Sequence, residues 1–105
     1  MSERRRLPDR RGSETFTLEA GGLRFTATAS PFDCGQLGEV FLQNHKADST
    51  AGIMASDAAI AASLALQFGC PLETLRKALC RDARGMATGP LGVALDIIAI
   101  KDGVS

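Results

Sequence analysis

The stretch STAGIMASDAAIAASLALQFGCP, residues 49–71, has the clearest helix pattern of the chain, and the rest of the predicted fold is arranged around it. Its middle is rich in alanine, the residue with the highest intrinsic helix propensity. Ser49 or Thr50 is suited to cap the first turn through its hydroxyl group. Gly69 accepts the backbone angles that end a helix, and the proline that follows cannot continue one. The sequence therefore predicts a central helix from Thr50 to Phe68.

This helix has no charged face, so its orientation is predicted from its apolar positions. At about 100° per residue, one face gathers large apolar side chains around a single acid, Asp57. Asp57 is therefore predicted to be a buried carboxylate among apolar neighbours. A helix without a charged face is usually buried on more than one side, by a sheet and by other helices or a second subunit, and a homodimer is expected. The Asp57 face consists of Ile53, Met54, Ile60, Leu64 and Phe68, and the opposite side of Ala55, Ala58, Ala62, Ala65 and Leu66.

Strand patterns precede the helix. The segment ETFTLEAGGLRFTATAS, residues 14–30, alternates apolar and polar side chains, which is typical of strands with one face on a core. Its centre, Gly21-Gly22, predicts a hairpin because glycine accepts the positive φ angles of tight hairpin turns. The segment GEVFLQN, residues 38–44, predicts a third strand whose partner the sequence does not assign.

Two further helices are predicted after the central one. Residues 70–80, CPLETLRKALC, predict a surface helix, and residues 89–100, GPLGVALDIIAI, suit either a helix or a buried strand. A helix is favoured for the second segment because Pro90 fits a first helical position. The predicted fold is an α+β two-layer domain in which these helices and the Ala-rich helix pack on a small antiparallel sheet. In the surface helix, Leu72, Leu75 and Leu79 are predicted to face inward, and Glu73, Arg76 and Lys77 outward.

Composition indicates one ordinary globular domain. The chain has 105 residues, of which 45% are hydrophobic and 23% charged. Residues 1–13 hold five arginines against two acids, so a flexible basic arm is predicted there, followed by a single domain over residues 14–105. Because the net charge is zero, the domain itself is mildly acidic. That balance argues against a domain built mainly to neutralise phosphates.

Cysteine usage and hydropathy bear on the compartment. The three cysteines form no CxxC pair and no disulfide framework, and they are expected to be reduced. The basic N-terminal segment is not followed by the apolar stretch of a signal peptide, and no apolar run reaches membrane-spanning length without a glycine, proline or charge. A cytoplasmic protein that does not associate with membranes is expected.

Four segments, in their order and wording, resemble one known protein family. They are LPDRRGSETFTL (7–18), GQLGEVFLQNHKADST (35–50), AAIAASLALQFGCPLETLRKAL (58–79) and ATGPLGVALDIIA (87–99). Together they resemble the TSCPD domain, which occurs at the C-terminal end of vitamin B12-dependent ribonucleotide reductases and as small stand-alone proteins. The most specific part is the segment with Glu39 and Phe41, followed by the Gly-Cys-Pro-Leu helix end.

The resemblance implies a function as well as a fold. The family is named for a Ser-Cys-Pro-Asp type motif at the start of its last helix, and its cysteines are suspected metal ligands. The corresponding residues here are Thr88-Gly89-Pro90-Leu91, so the motif cysteine is a glycine, while Cys80 matches the earlier family cysteine. This departure argues against the metal site. The reductase active site lies in a large catalytic domain outside the similar region, so the resemblance implies a non-catalytic accessory module and not an enzyme.

Metal or thiol chemistry is the first alternative to that role. A Cys₃His set is of the right ligand type for zinc, and a Cys-His pair is of the right type for a nucleophile. The four residues are far apart in sequence and supply no paired chelate, so the favoured interpretation is ordinary thiols and a polar loop histidine, with no cofactor. The set consists of Cys34, His45, Cys70 and Cys80.

An anion site is the second alternative. Two arginines and two flexible glycines precede the helix that starts near Pro90, and the N-terminus of a helix attracts anions. The segment matches neither common phosphate-binding motif, so a plain helix-entry turn is favoured. The residues of this hypothesis are Arg81, Arg84, Gly85, Thr88 and Gly89.

Two other groups of polar residues remain. Asp57 and Asp96 are the buried polar candidates. They could form an interhelical carboxylate pair for acid-base chemistry, but the favoured interpretation is that each is satisfied by a hydroxyl, a backbone amide or an arginine such as Arg84. The arm would serve a nucleic-acid binder through Arg4, Arg5, Arg6, Arg10 and Arg11.

The predicted function is therefore a non-catalytic binding module linked to ribonucleotide reductase-like proteins. Its expected partners are a second copy of the chain, a protein of nucleotide metabolism, or a nucleotide or nucleic acid. The alternatives are a small metal- or thiol-dependent enzyme and a nucleic-acid binder.

Overall fold

The computed structural model describes Glu3, Arg4, Leu7, residues 12–46 and residues 48–101. A three-stranded antiparallel sheet and three helices confirm the predicted α+β fold. The elements are β1 (Glu14–Ala20), β2 (Leu23–Pro31), β3 (Leu37–Asn44), α1 (Thr50–Gln67), α2 (Leu72–Ala78) and α3 (Pro90–Lys101).

The predicted hairpin is confirmed in its turn and its register. Gly21 and Gly22 have φ angles of 60° and 79°, and they join β1 to β2 with Ala20 opposite Leu23. Two consecutive positive φ angles match the twist of the flanking strands. An L side chain is disfavoured at both positions, so the glycine pair fixes this register.

The third strand pairs with β2, the partner that the sequence did not assign. The sheet order is β1-β2-β3, and the β2–β3 register shifts between Ser30 and Pro31. Gly38 in β3 lies under the Phe32 ring, and a Cβ at this position would be 2.9 Å from that ring and 2.6 Å from Leu7. Glycine is therefore needed for close packing at the start of β3.

Helix α1 begins and ends where the sequence predicts. The Gly52 amide donates to the Ser49 hydroxyl over 3.1 Å, which caps the first turn. Phe68 is the C-cap, and Gly69 leaves the helix with a φ of 101°. α1 packs along β3 with small side chains toward the sheet, which allows the helix to approach closely. The buried residues of α1 are Gly52, Ala55, Ala59, Ala62, Ser63, Leu66 and Gln67.

Two polar side chains of α1 form hydrogen bonds with backbone groups of β3, an edge strand of the sheet. The Val40 amide donates to the Ser63 hydroxyl over 2.9 Å, and that hydroxyl lies 2.9 Å from the Val40 carbonyl oxygen. One turn later, the Gln67 amide group donates to the Gly38 carbonyl over 3.0 Å. Ser63 is 6% exposed and Gln67 2% exposed. Because β3 is an edge strand, these bonds pair backbone groups that β2 does not reach.

Helix α3 resolves the ambiguity between helix and strand in favour of the predicted helix. Leu91, Ala94, Leu95 and Ile98 are buried, at the spacing of one helical face. Leu95 and Leu42 are fully buried and belong to the single core between the helices and the sheet. No helix in the described residues has both the length and the apolar character needed to cross a bilayer.

Helix α2 packs through its leucines as predicted, but one of its charged residues turns inward. Leu72, Leu75 and Leu79 contact the core at its border. The Arg76 side chain, predicted to face outward, is 16% exposed and contacts α3 instead. This prediction was wrong because an acid on α3, Asp96, offers Arg76 an ion pair at the helix interface.

Candidate functional site

The outer face of α1 carries a continuous apolar surface. Met54, Ile53 and Ile60 are 66%, 50% and 47% exposed, and Leu64 and Phe68 are also exposed. Their spacing of three, four and seven residues places these side chains in adjacent rows along the helix. Several large apolar side chains side by side on an exposed surface are typical of interaction sites. We call this surface the outer stripe, and it comprises Ile53, Met54, Asp57, Ile60, Leu64 and Phe68.

The prediction that Asp57 is buried is wrong. Asp57 is exposed, in the middle of the outer stripe, and the described part of the chain contains no ion pair or hydrogen bond to its carboxylate. The small-residue side of α1 faces the sheet instead, because it allows closer packing and carries the side chains that bond β3. Among the described residues no other element covers the outer stripe, and burial of α1 against a second subunit stays a prediction.

Asp96 is the centre of an ionic cluster between α2 and α3. Its carboxylate accepts from both terminal nitrogens of Arg81, at 2.8 and 2.9 Å, and from Nε of Arg76 at 2.9 Å. Arg76 also pairs with Glu73 one turn earlier on α2. The Arg81 hydrogen bond, supported by Arg76, lowers the pKa of Asp96, although partial burial opposes the shift. Arg81, not the predicted Arg84, is therefore the main partner of Asp96.

Arg81 also fastens the loop that precedes α3. Its guanidinium donates to the Arg76 carbonyl at 3.0 Å and to the Gly85 carbonyl at 2.9 Å, in addition to Asp96. The hydrogen bond to Asp96 raises the pKa of Arg81, a side chain that is charged at any accessible pH even without such a partner. An arginine with so many protein acceptors has a structural role in this geometry.

The other residues of the predicted anion site form an ordered turn. Gly85 has a φ of 81°, and the amides of Arg84 and Met86 donate to the Asp82 carboxylate. The Thr88 hydroxyl donates to the Cys80 carbonyl over 3.2 Å. The Arg84 side chain is 85% exposed. The geometry explains Gly85 by its turn, and an anion site at this loop stays a prediction.

Gly89, the last residue of the predicted anion site, lies directly before α3. The Val93 amide donates to the Gly89 carbonyl over 3.0 Å, which begins the helix. A Cβ at Gly89 would meet no atom within 4 Å. Neither a positive φ angle nor a close contact requires glycine here, so the structure gives no packing reason for a glycine at this position.

The four predicted metal or thiol residues are not assembled into one site. Within the described ranges, no three His, Cys, Asp or Glu side chains are grouped so as to hold a metal ion. Cys34 and Cys70 line the same open cavity of about 580 Å³, between the β2–β3 loop and the start of α2. Cys80 and His45 are exposed elsewhere on the surface. The shared cavity of two cysteines was not anticipated from their sequence spacing.

Of the five arginines in the predicted basic arm, the structure describes Arg4. Nε of Arg4 donates to the side-chain oxygen of Gln67, the residue whose amide nitrogen bonds β3. Arg4 is thereby placed beside the C-terminal end of α1. The remaining arm arginines, Arg5, Arg6, Arg10 and Arg11, lie outside the described residues. The nucleic-acid arm stays a prediction.

Ser63 and Gln67 are buried polar residues that the sequence analysis did not single out. Both lie on the side of α1 that faces the sheet, four residues apart. Polar side chains at this spacing within an Ala-rich helix were the available signal, since a buried hydroxyl or amide needs a partner. Their partners are backbone groups of β3, so their role is structural.

Several curated proteins are similar in sequence to this chain. The chain is 38% identical over 73 residues to the vitamin B12-dependent ribonucleotide reductase of Bradyrhizobium diazoefficiens, which covers 70% of this chain. It is 39% identical over 71 residues to the enzyme of the same name from Agrobacterium fabrum, and 42% identical over 71 residues to that of Streptantibioticus cattleyicolor. These alignments each cover 68% of this chain.

The similarity concerns a small part of those enzymes. The chain spans 6% of the length of the first two relatives and 12% of the third. No family model matches the chain, and no solved structure matches it. The chain is thus similar to a short segment of B12-dependent ribonucleotide reductases, which is consistent with a domain related to these enzymes.

Proposed function

We propose that this chain is a non-catalytic accessory module that docks on a ribonucleotide reductase-like catalytic protein. The observation that carries the proposal is the outer stripe of α1, an uncovered apolar surface on a domain similar to a short segment of such enzymes. Large exposed apolar surfaces are commonly buried against a partner in protein interfaces, and this supports a docking role for the outer stripe.

The hydrogen-bond partners of the polar side chains also support a non-catalytic role. Ser63 and Gln67 bond the edge of the sheet, and Arg81 and Asp96 hold the loop before α3. These side chains have acceptors or donors within the fold itself, whereas a catalytic group has to present one to a substrate. The apolar stripe, by contrast, is presented to solvent.

The outer stripe also supports the choice of a protein partner over a nucleic acid. Its side chains are aliphatic, with one phenylalanine and one acid, and it contains no basic residue. Nucleic-acid affinity depends on clustered positive charge, which this surface lacks. A second copy of the chain is the competing occupant, because an apolar stripe is compatible with a homodimer.

The experiment is calorimetric titration of the chain into purified B12-dependent ribonucleotide reductase from Bradyrhizobium diazoefficiens. The wild-type chain is expected to bind, and Ile60→Lys is expected to weaken binding at least about tenfold, since it places a charge within the apolar contact. Thr74→Lys, which adds the same charge on the exposed side of α2, is the matched control and should bind like the wild type.

Three results would count against the proposal. They are no binding by the wild-type chain, equal weakening by both lysine variants, and turnover of a ribonucleotide by the isolated chain. Sedimentation of the wild-type chain and of Ile60→Lys in the same buffer tests whether the outer stripe binds a second copy of the chain instead of the reductase. A dimer that Ile60→Lys disrupts would assign the outer stripe to a second copy.

A further inference from the structure

The outer stripe contains an acid at its centre, and this acid constrains what can cover the stripe. Asp57 lies one turn after Ile53 and Met54, and one turn before Ile60. Within the described residues no cation and no hydrogen-bond donor serves its carboxylate. In the uncovered chain water solvates Asp57, but an apolar partner would remove that water. A buried carboxylate without a cation is strongly unfavourable.

The stripe has the repeat of a helix-pairing surface. Ile53 and Ile60 are separated by seven residues, as are Asp57 and Leu64, and Met54 and Phe68 are separated by two such repeats. All of these positions are exposed. A seven-residue repeat is the period at which a second helix stays in contact along its length. The shape of the stripe therefore favours a helix as its occupant.

A second copy of α1 would leave the carboxylate unpaired. In a parallel pair, Asp57 would face Asp57 of the copy, which repels it. In an antiparallel pair centred near Ile60, Asp57 would face the apolar Leu64 of the copy. The outer stripe supplies no lysine, arginine or histidine in either arrangement. Charge complementarity thus disfavours self-pairing and requires a cation from a different helix.

We propose that the occupant of the outer stripe is an amphipathic helix of another polypeptide segment, with a lysine or arginine that pairs with Asp57. This inference rests on the proposed docking function and specifies the chemistry of the partner. The apolar rows provide the contact area, while Asp57 selects the partner and fixes its register along α1. A polar residue in an otherwise apolar helix seam commonly has this role.

The test uses the full chain labelled with ¹⁵N and three designed amphipathic peptides of about three heptads. The peptides are identical except for one central seam residue, which is lysine, glutamine or glutamate. Titrations followed by two-dimensional NMR give the dissociation constant and the location of binding. For the wild-type chain, the lysine peptide is expected to bind at least about tenfold more tightly than the glutamate peptide. The amide signals of Asp57, Ile60 and Leu64 are expected to shift.

Charge reversal provides the matched variant. Asp57→Lys exchanges the charge on an exposed position and is expected to reverse the preference, so that the glutamate peptide binds more tightly than the lysine peptide. Ile60→Ser is expected to weaken all three peptides alike, because it removes apolar contact without changing charge. This variant separates loss of the surface from loss of the charge pair.

The outcomes distinguish this inference from the docking function. Equal affinity for the three peptides, or a preference that Asp57→Lys leaves unchanged, would overturn the inference while binding to the reductase still stood. Reductase binding through Ile60 without binding of any peptide would overturn the helical occupant. A dimer of the wild-type chain that persists in Asp57→Lys and is lost in Ile60→Ser would overturn it in favour of a second copy. If neither the reductase nor a peptide binds, the docking function fails as well.

Discussion

The two sides of α1 differ in a way that reverses simple expectations about hydrophobic burial. The side that faces the sheet is built from alanines with Ser63, Leu66 and Gln67, and it is buried. The opposite side carries isoleucine, methionine, leucine and phenylalanine, and it is exposed. Both sides belong to the same helix. What distinguishes them is how closely a neighbour can approach and whether polar side chains find partners there.

Where the sheet already contributes large core side chains, the side of a helix with small residues packs against it, because that side can approach most closely. Leu42 and Val40 of β3 fill the space under α1, and Ala59 lets the helix come down onto them. Larger side chains on that side would hold the helix away from the strand and break the bonds from Ser63 to Val40. The large apolar residues of α1 are therefore available for a contact outside this domain, as proposed above.

The largest difference between the two sides is expected from a pair of identical substitutions. Leu66 is 5% exposed on the inner side, and Leu64 is 39% exposed on the outer side. Leu66→Ala is expected to lower the free energy of unfolding by about 2–5 kcal/mol, because it leaves a cavity in the core. Leu64→Ala is expected to change it by less than about 1 kcal/mol. Urea unfolding followed by circular dichroism measures both, and equal losses would contradict the assignment of the faces.

The polar residues of the inner side give the next effect. Ser63→Ala removes the hydroxyl that pairs with Val40 and is expected to destabilise the domain by about 1–3 kcal/mol, because buried backbone groups lose their partner. Ser56→Ala, on the same helix but without such a bond in the described part, should be close to neutral. The same unfolding experiment compares them. If Ser63→Ala left the free energy of unfolding unchanged, the hydrogen bonds from Ser63 to the backbone of β3 would not stabilise the domain.

A smaller, pH-dependent effect is expected from the ionic cluster between α2 and α3. Because the pKa of Asp96 is lowered in the folded protein, its contribution to stability is present above the ordinary carboxyl pKa and is lost as the pH falls through the lowered value. Asp96→Asn is expected to cost about 1–2 kcal/mol at neutral pH, and the difference from the wild type should shrink below about pH 4.

Unfolding free energies measured from pH 7 to acid test this sign. Asp33→Asn, at an exposed loop position, is the control for removing an acid. A difference between wild type and Asp96→Asn that grows on acidification would contradict the assignment of Asp96 as an ion-paired carboxylate.

The smallest change in stability is expected on the outer side. Ile60→Lys should alter the free energy of unfolding by no more than about 0.5 kcal/mol, because Ile60 is about half exposed and the long lysine stem can lie along the surface. The same variant is expected to have a large effect on docking. A large loss of stability in the isolated chain would mean that the outer stripe is already covered within the domain or by a second copy.

The element boundaries could be predicted from sequence because local chemistry determines them. Gly21-Gly22 fixed the hairpin, and Ser49 and Gly69 fixed the ends of α1 through capping and a positive φ angle. These signals act over a few residues and do not depend on the rest of the fold.

The orientation of α1 and the partner of Asp96 could not be predicted, because both depend on tertiary contacts. An uncharged helix offers two apolar faces, and the choice between them depends on the depth of packing on β3 and on the bonds of Ser63 and Gln67. Likewise, Arg76 reaches Asp96 because α2 and α3 lie side by side, which no spacing in the sequence encodes. The predicted Arg84 is nearer to Asp96 in sequence than Arg81 is, but its side chain is 85% exposed.

Docking through the outer stripe can be measured as a change in solvent exposure of the α1 methyl groups, by NMR with a soluble paramagnetic agent, with and without the proposed reductase partner. In the isolated chain, the methyl signals of Ile53, Ile60 and Leu64 are expected to broaden while that of Leu66 is protected. On addition of the reductase, Ile53, Ile60 and Leu64 should become protected as well. Protection of these three groups in the isolated chain, or unchanged broadening in the complex, would contradict the account.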